Sequence, residues 1–321
     1  MILPVSKGPI GIYYEHPRWF LPVFAELDRR GIPYVRLDAA RHHFALETNG
    51  NERYSLIFNR VSPSAWTRGH AHCVFYTLNY LAHLEKSGTR VVNGSHAFRV
   101  ETSKALQLSL LQSLGLPYPR SVVINHPSEA PAAAQGMRFP VVIKPNIGGS
   151  GAGIVRFDTA DQLERTAREG EIALGLDSVG IVQEFVPARG GHITRVETLG
   201  YNYLYGIKVF TSGETFDLCP MDICKTTGGQ TIDTTCVVEG PKAGLRLEAC
   251  TPPPEIRKAV ERIFSEAQIE VGGAEYIIDD RDGCLYYYDI NALSNFVSDG
   301  PRVIGFDPFA RLVDYLVQEA H

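Results

Sequence analysis

Residues 141–157, VVIKPNIGGSGAGIVRF, place a single lysine, Lys144, at the end of an apolar run. Four glycines in six positions follow (Gly148, Gly149, Gly151, Gly153), and then a second apolar run. Two β-like runs joined by glycines can form a glycine-rich hairpin, or a loop whose successive N–H groups converge on phosphate oxygens beside one fixed positive charge. In a P-loop the lysine follows the glycines, and in a dinucleotide fingerprint a helix follows them; neither order is present here.

The chain has 321 residues, 44% hydrophobic and 21% charged, enough for two or three packed units with a sizeable core. A net charge of −5 argues against a nucleic-acid or anionic-membrane surface while leaving room for a local basic site. No run approaches the roughly 18 uninterrupted apolar residues of a membrane span, and the first twenty residues lack the pattern of a secretory signal. A cytoplasmic location is therefore expected. The six cysteines form no C-x-x-C pair and read as reduced thiols. HAHC at 70–73 reads as a helix start rather than a metal cluster, because Val74, Leu78 and Leu81 recur at helical spacing.

Periodicity divides the chain into three expected units: 1–94, 95–188 and 189–321. In the first, PIGIYY and YVRLD flank a helix whose face carries Trp19, Phe20, Val23, Phe24 and Leu27 and which Gly31 and Pro33 end. This βαβ pattern predicts a parallel sheet, continued by YSLIFNR, a helix near 72–86 and TRVVN. In the second, Thr102 or Ser103 caps a helix with Leu106, Leu110, Leu111 and Leu114 along one face, and Gly115 and Pro117 stop it. The strands SVVI, PVVIK, GIVRF and GIVQEFV follow, with a helix over 159–169 between the last two; APAAAQG reads as a helix or loop. The third unit is rich in strands (HITRVETLG, YNYLYGIKVF, GGAEYIID, CLYYYDIN), with a helix after TPPPE and another over 307–319.

The last two strands carry Glu275, Asp289 and Asn291. Asp289 and Asn291 are two apart, so they share a face of the strand, and two carboxylates with an amide carbonyl are oxygen ligands of the kind Mg²⁺ prefers. Taken in order, TSKALQLSLLQSLGLPYP, VVIKPNIGGSGAGI, IVQEFV, ITRVETLG and GGAEYII…YYYDIN resemble the ATP-grasp superfamily. The likeness is nearest to its carboxylate–amine ligase branch, that of ribosomal-protein glutamate ligase and D-alanine:D-alanine ligase. The resemblance implies a mixed α/β and α+β fold, with an N-terminal parallel α/β domain ahead of two ATP-grasp subdomains, and it implies ATP and Mg²⁺ as cofactors.

Carried over residue by residue, the resemblance assigns Lys104 and Lys144 to the nucleotide phosphates, and Gly148, Gly149, Ser150, Gly151 and Gly153 to the loop that closes over them. It assigns Glu184, Phe185 and Val186 to the adenine hinge, Arg195 to the γ-phosphate, and Glu275, Asp289 and Asn291 to the metal. Three departures stand out. Asp289 occupies a position usually held by glutamate; the ribose-holding acid should fall near His192 or Ile193, and neither is acidic; and the later cationic position fits Lys208 or Lys225.

Arg60, at the expected C-terminal end of an N-terminal strand, is the expected clamp for a substrate carboxylate, with Ser294 and Asn295 as further substrate contacts or as turn residues. The implied partners are a small-molecule carboxylate and an amine, of amino-acid or peptide type. The implied reaction is ATP-dependent amide formation through an acyl phosphate. A small-molecule kinase or a non-catalytic ATP-binding regulator remain the alternatives, and self-association is left open.

Overall fold

The computed structural model describes residues 8–16, 18–46, 54–149, 151–210, 246–292, 295–297 and 299–321. Its first sheet comprises β1 (Ile10–Tyr14), β2 (Tyr34–Asp38), β3 (Leu56–Arg60) and β4 (Val91–Val92), all parallel, in the order β2-β1-β3-β4. Helix α1 (Leu21–Arg30) crosses from β1 to β2 and stops at Gly31, whose left-handed φ of 65° lets its N–H return to the carbonyls of the last turn. Helix α2 (Ala71–Lys86) joins β3 to β4. Open parallel sheets place ligand sites beyond the C-terminal ends of their strands, and Arg60 is the last residue of β3.

Two helices follow, α3 (Ser95–Glu101) and α4 (Lys104–Ser113); Ser103 caps α4 by accepting from the Leu106 N–H at 3.2 Å. The expected face of α4 is partly wrong. Leu111 and Leu114 are buried, but Leu106 is 42% exposed and Gln107 is buried instead. The reason is polar rather than apolar: the Gln107 amide hydrogen-bonds the edge of a strand described below.

The second sheet holds β5 (Ser121–Ile124), β6 (Val141–Pro145), β7 (Val155–Phe157) and β8 (Gly180–Glu184), antiparallel in the order β5-β8-β6-β7, with α5 (Ala130–Ala133) and α6 (Ala160–Glu169) beside it. β6 and β7 are the two runs of the opening stretch, and they pair antiparallel through Val141–Phe157, Val142–Arg156 and Ile143–Val155.

The third sheet holds β9 (His192–Leu199), β10 (Asn202–Phe210), β11 (Leu247–Cys250), β12 (Val271–Ile278) and β13 (Leu285–Asn291), in the order β11-β10-β9-β12-β13. Helix α7 (Pro254–Glu266) covers one face; α8 (Gly300–Val303) and α9 (Pro308–Glu319) end the chain. α9 packs against α1, so its buried Leu312, Val313 and Leu316 join Ile12 of the first sheet, Phe20 and Phe24 at the start of α1, and Ile207 and Val271 of the third sheet in one core. At about 1.5–3 kcal/mol for each fully buried large apolar side chain, this shared core ties the N-terminal sheet to the third sheet. Among the described residues, no helix is long and apolar enough to cross a membrane.

Candidate active site

An open cleft lies where the three sheets meet. Lys104, Lys144, Arg195, Glu275, Asp289 and Asn291, which come from α4 and from strands of two different sheets, all line it. Asn146 fixes the two lysines relative to each other: its Oδ1 accepts from the Ala105 N–H (2.9 Å) and the Ser103 hydroxyl (3.1 Å), and its carbonyl accepts from the Lys104 N–H (3.3 Å). This sews the start of the glycine stretch to the first turn of α4.

Cations and carboxylates pair off across the cleft. The Lys104 ammonium donates to Asp289 Oδ1 at 2.6 Å, and Asn291 Nδ2 donates to Asp289 Oδ2 at 3.1 Å. Strand register sets Arg195 opposite Glu275; Arg195 Nη1 reaches Glu275 Oε1 at 3.3 Å, while its Nε donates to Glu197 Oε1 at 2.6 Å. The Tyr288 hydroxyl donates to Glu275 Oε2 at 2.6 Å, and Lys144 Nζ sits 5.5 Å from the centroid of the Tyr288 ring.

Burial moves these groups in opposite directions. It pushes the carboxyls of Glu275 and Glu101 up to about 7 and, with Lys104 nearby, brings the Lys144 ammonium down to about 8. For Lys104 and Asp289, burial opposes the charged forms but their ion pair outweighs it, so Lys104 stays above and Asp289 below its ordinary value.

The glycines are needed for space as well as for turning. Gly149, at φ 151°, lies against the 3₁₀ helix that follows β3, where an added Cβ would come 2.9 Å from the Ser64 backbone nitrogen; at Gly153, φ 74°, an added Cβ would come 2.7 Å from Pro145 Cγ. Gly148, Gly149 and Gly151 line the cleft.

Lys144, Ile154 and Tyr288 also line a second, largely apolar slot of about 540 Å³, completed by Val142, Val186, Ile193 and Ile277. Glu184 and Phe185 line it too, yet their polar groups are already engaged. Glu184 Oε1 accepts from the Arg138 N–H at 2.8 Å, the Phe185 N–H donates to the Pro140 carbonyl at 2.9 Å, and the Phe185 carbonyl accepts from Arg281 at 3.2 Å. His192 opens β9 with its imidazole on the Gly190 carbonyl at 3.2 Å and is not among the residues lining either space. Lys208 sits opposite Thr194 on β10 and lines neither. Ser150, Lys225 and Ser294 lie outside the described residues.

From the N-terminal sheet, Arg60 is 3% exposed, stacks on the Phe20 and Phe58 rings at 5.0 and 5.2 Å, and donates to Asn295 Oδ1 at 3.2 Å. Burial lowers its guanidinium to about 9, with Glu197 and Glu101 opposing that shift. Trp19, Ser62, Ser64 and Asn295 line the cleft, whereas Arg60 is not among its lining residues and lies behind Asn295. Behind them Glu15, almost fully buried, holds Arg68 at 2.5 Å and His70 at 2.6 Å. His70, of the HAHC stretch, is thus a partner of Glu15. Among the described residues no three His, Cys, Asp or Glu side chains are grouped to hold a metal ion.

Glu101, Glu197, Gln107, Asn146 and Tyr288 escaped the sequence reading. Only Asn146, two residues after the lysine, and Glu197, two after the arginine, carry a local signal: the latter spacing puts both charges on one strand face.

No protein-family model matches the chain. It is 30% identical over 118 residues to a D-alanine–D-alanine ligase of Azoarcus sp., a match covering 34% of this chain and 38% of that relative's own length. Among solved structures it is similar over 98% of its length to the ATP-grasp ligase PsnB complexed with a minimal precursor variant, Mg and ADP, at 19% identity and a TM-score of 0.68, covering 99% of that chain. D-alanyl-alanine synthetase A from Vibrio cholerae matches over the same shares of the two chains, at 13% identity and a TM-score of 0.69. With the three sheets in this order and the lysine-glycine hairpin facing the acidic strands, the chain has the ATP-grasp fold.

Proposed function

We propose that the chain is an ATP-dependent carboxylate–amine ligase that converts an acid to its acyl phosphate, transfers the acyl group to an amine, and releases ADP and phosphate. The observation that carries this reading is the convergence in one cleft of three cations (Lys104, Lys144, Arg195) with two carboxylates and an amide (Glu275, Asp289, Asn291), beside an apolar slot of adenine size. The likeness to D-alanine–D-alanine ligase supports an amide-forming class, and that to the ATP-grasp ligase PsnB supports a ligase.

In this reading the slot holds adenine between aliphatic side chains, while Lys104 and Lys144 take phosphate oxygens and Arg195 faces the transferring phosphoryl group. Glu275, Asp289 and Asn291 fit Mg²⁺ by donor chemistry, since that ion is commonly held by one or two carboxylates and completes its shell with water and phosphates. When bound, Mg²⁺ neutralises charge building on the phosphate oxygens. The cations of the pairs Lys104–Asp289 and Arg195–Glu275 would be available to phosphate oxygens and their carboxylates to Mg²⁺ when both are bound. Either ligand alone leaves half of those charges uncompensated, so nucleotide and Mg²⁺ should strengthen each other's binding. No protein nucleophile is required. In this reading Arg60, reached through Asn295 on the cleft wall, binds the second substrate.

Chromatography of the products tests the reading: turnover should yield ADP and free phosphate, whereas a kinase would leave the phosphate on its product. For Arg60→Ala we expect a KM for one organic substrate raised about tenfold or more, with nucleotide affinity by calorimetry unchanged. Arg60→Lys, which keeps the charge but loses the fork, should recover only part of the loss. Equal loss of nucleotide binding would assign Arg60 to structure alone.

A further inference from the structure

β13, which carries Asp289 and Asn291, is the edge of its sheet among the described strands, with β12 on one side of it. An edge strand presents backbone groups that no neighbouring strand pairs, and where such an edge is buried they need other partners. Three buried side chains supply them around Asn291. Gln107 acts as a neighbouring strand would: its Nε2 donates to the Ile290 carbonyl at 2.8 Å and its Oε1 accepts from the Ile290 N–H at 3.3 Å. Glu101, the last residue of α3, accepts from the Ala292 N–H. Asn93 donates to the Ala292 carbonyl at 2.6 Å, while its Oδ1 takes the Glu270 and Val271 N–H groups at 2.9 and 3.1 Å.

Both neighbours of Asn291 are therefore held through their N–H and their C=O, by side chains 1% (Asn93), 4% (Gln107) and 8% (Glu101) exposed. The network also reaches the N-terminal sheet. The Asn93 carbonyl accepts from Asn59 Nδ2 at 3.1 Å, and Asn59 immediately precedes Arg60. Asn93 holds a left-handed φ of 54°, a conformation asparagine adopts more readily than most residues and one that aims its amide at the third sheet.

Edge satisfaction alone would need only some polar partner. What this arrangement adds is that all three side chains bond the two residues flanking one candidate metal ligand, and a fully satisfied buried network admits a single geometry. We propose that Gln107, Glu101 and Asn93 are positioning residues that fix the placement of Asn291, and through it the divalent-cation affinity of the cleft. This rests on the reading of Glu275, Asp289 and Asn291 as a Mg²⁺ site. Removing such outer support characteristically weakens metal binding about 10–100-fold.

The test is the melting temperature of the full chain at saturating ATP, titrated with MgCl₂, in the parent, in Gln107→Met and in Gln107→Glu. Methionine keeps the length and removes both bonds to Ile290; glutamate keeps the acceptor. We expect the Mg²⁺ concentration that gives a fixed rise above the Mg²⁺-free melting temperature to increase about tenfold or more in Gln107→Met and by less in Gln107→Glu. An unchanged concentration would overturn the proposal, whether or not the Mg²⁺-free melting temperature falls, since a purely structural role lowers that baseline alone. If Gln107→Met does not fold, Gln107→Glu is judged by the same criteria. A parent with no Mg²⁺-dependent shift would instead remove the metal-site reading itself, and this proposal with it.

Discussion

Lys144→Ala should weaken ATP binding by about one to two decades, the equivalent of one charge-assisted contact of roughly 1.5–3 kcal/mol. The lysine is the penultimate residue of β6, four residues before Gly148, and faces both the cleft and the apolar slot, so its loss removes a charge from the junction of the two spaces while leaving their walls in place. Its ammonium, brought down to about 8, adds a pH signature. A bound phosphate favours the charged form, so binding above pH 8 takes up a proton. Affinity should be full below that pH and fall as pH rises through it, by up to about tenfold per unit. Lys144→Arg, charged throughout, should flatten the profile. Calorimetry between pH 7 and 9 reads both effects, and an affinity for Lys144→Ala equal to the parent's would place the nucleotide elsewhere.

Asp289→Asn should abolish most of the Mg²⁺-dependent part of the ATP-induced rise in melting temperature. For the parent that rise corresponds to about 2.7 kcal/mol at ligand one hundredfold above its dissociation constant. The substitution is nearly isosteric but removes the charge that Asp289 would give the metal. It also removes the partner of Lys104, and that pair is mostly buried, at 20% and 23% exposure for the two side chains, so the unliganded melting temperature should fall as well and serves as the reference for each shift. Asp289→Glu, one methylene longer, should keep part of the Mg²⁺ response. Thermal denaturation with ATP in EDTA and in MgCl₂ separates the terms, and a full Mg²⁺-dependent shift in Asp289→Asn would exclude Asp289 as a ligand.

How far the sequence could be read depended on whether a signal was local. β6, the glycines and β7 were readable because a lysine-ended apolar run, turn residues and a second apolar run are adjacent in the chain; Gly31 and Ser103 likewise mark helix ends by their own chemistry. Asp289 and Asn291 were readable together because a strand's period of two places them on one face. The facing of Arg195 to Glu275 comes from register between β9 and β12, which lie far apart in sequence. α3 is a seven-residue helix, too short for periodicity to distinguish it from a loop. Leu106 and Gln107 show the limit most plainly. An apolar stripe drawn by hydrophobicity took the leucine inward, whereas the edge of β13, invisible from α4's own sequence, required an amide. The packing of α9 onto α1 joins the two ends of the chain and left no mark in either segment alone.

The central claim is that the cleft activates a carboxylate with the terminal phosphoryl group of ATP. The most direct measurement incubates the full chain with ATP, MgCl₂ and hydroxylamine against a panel of amino acids and dipeptides, and follows nucleotide, phosphate and hydroxamate together. The expected result, for the acid that is used, is ADP, free phosphate and the acid hydroxamate in equal amounts, with none of the three formed by Asp289→Asn. AMP with pyrophosphate, or a product that retains the phosphate, would contradict it.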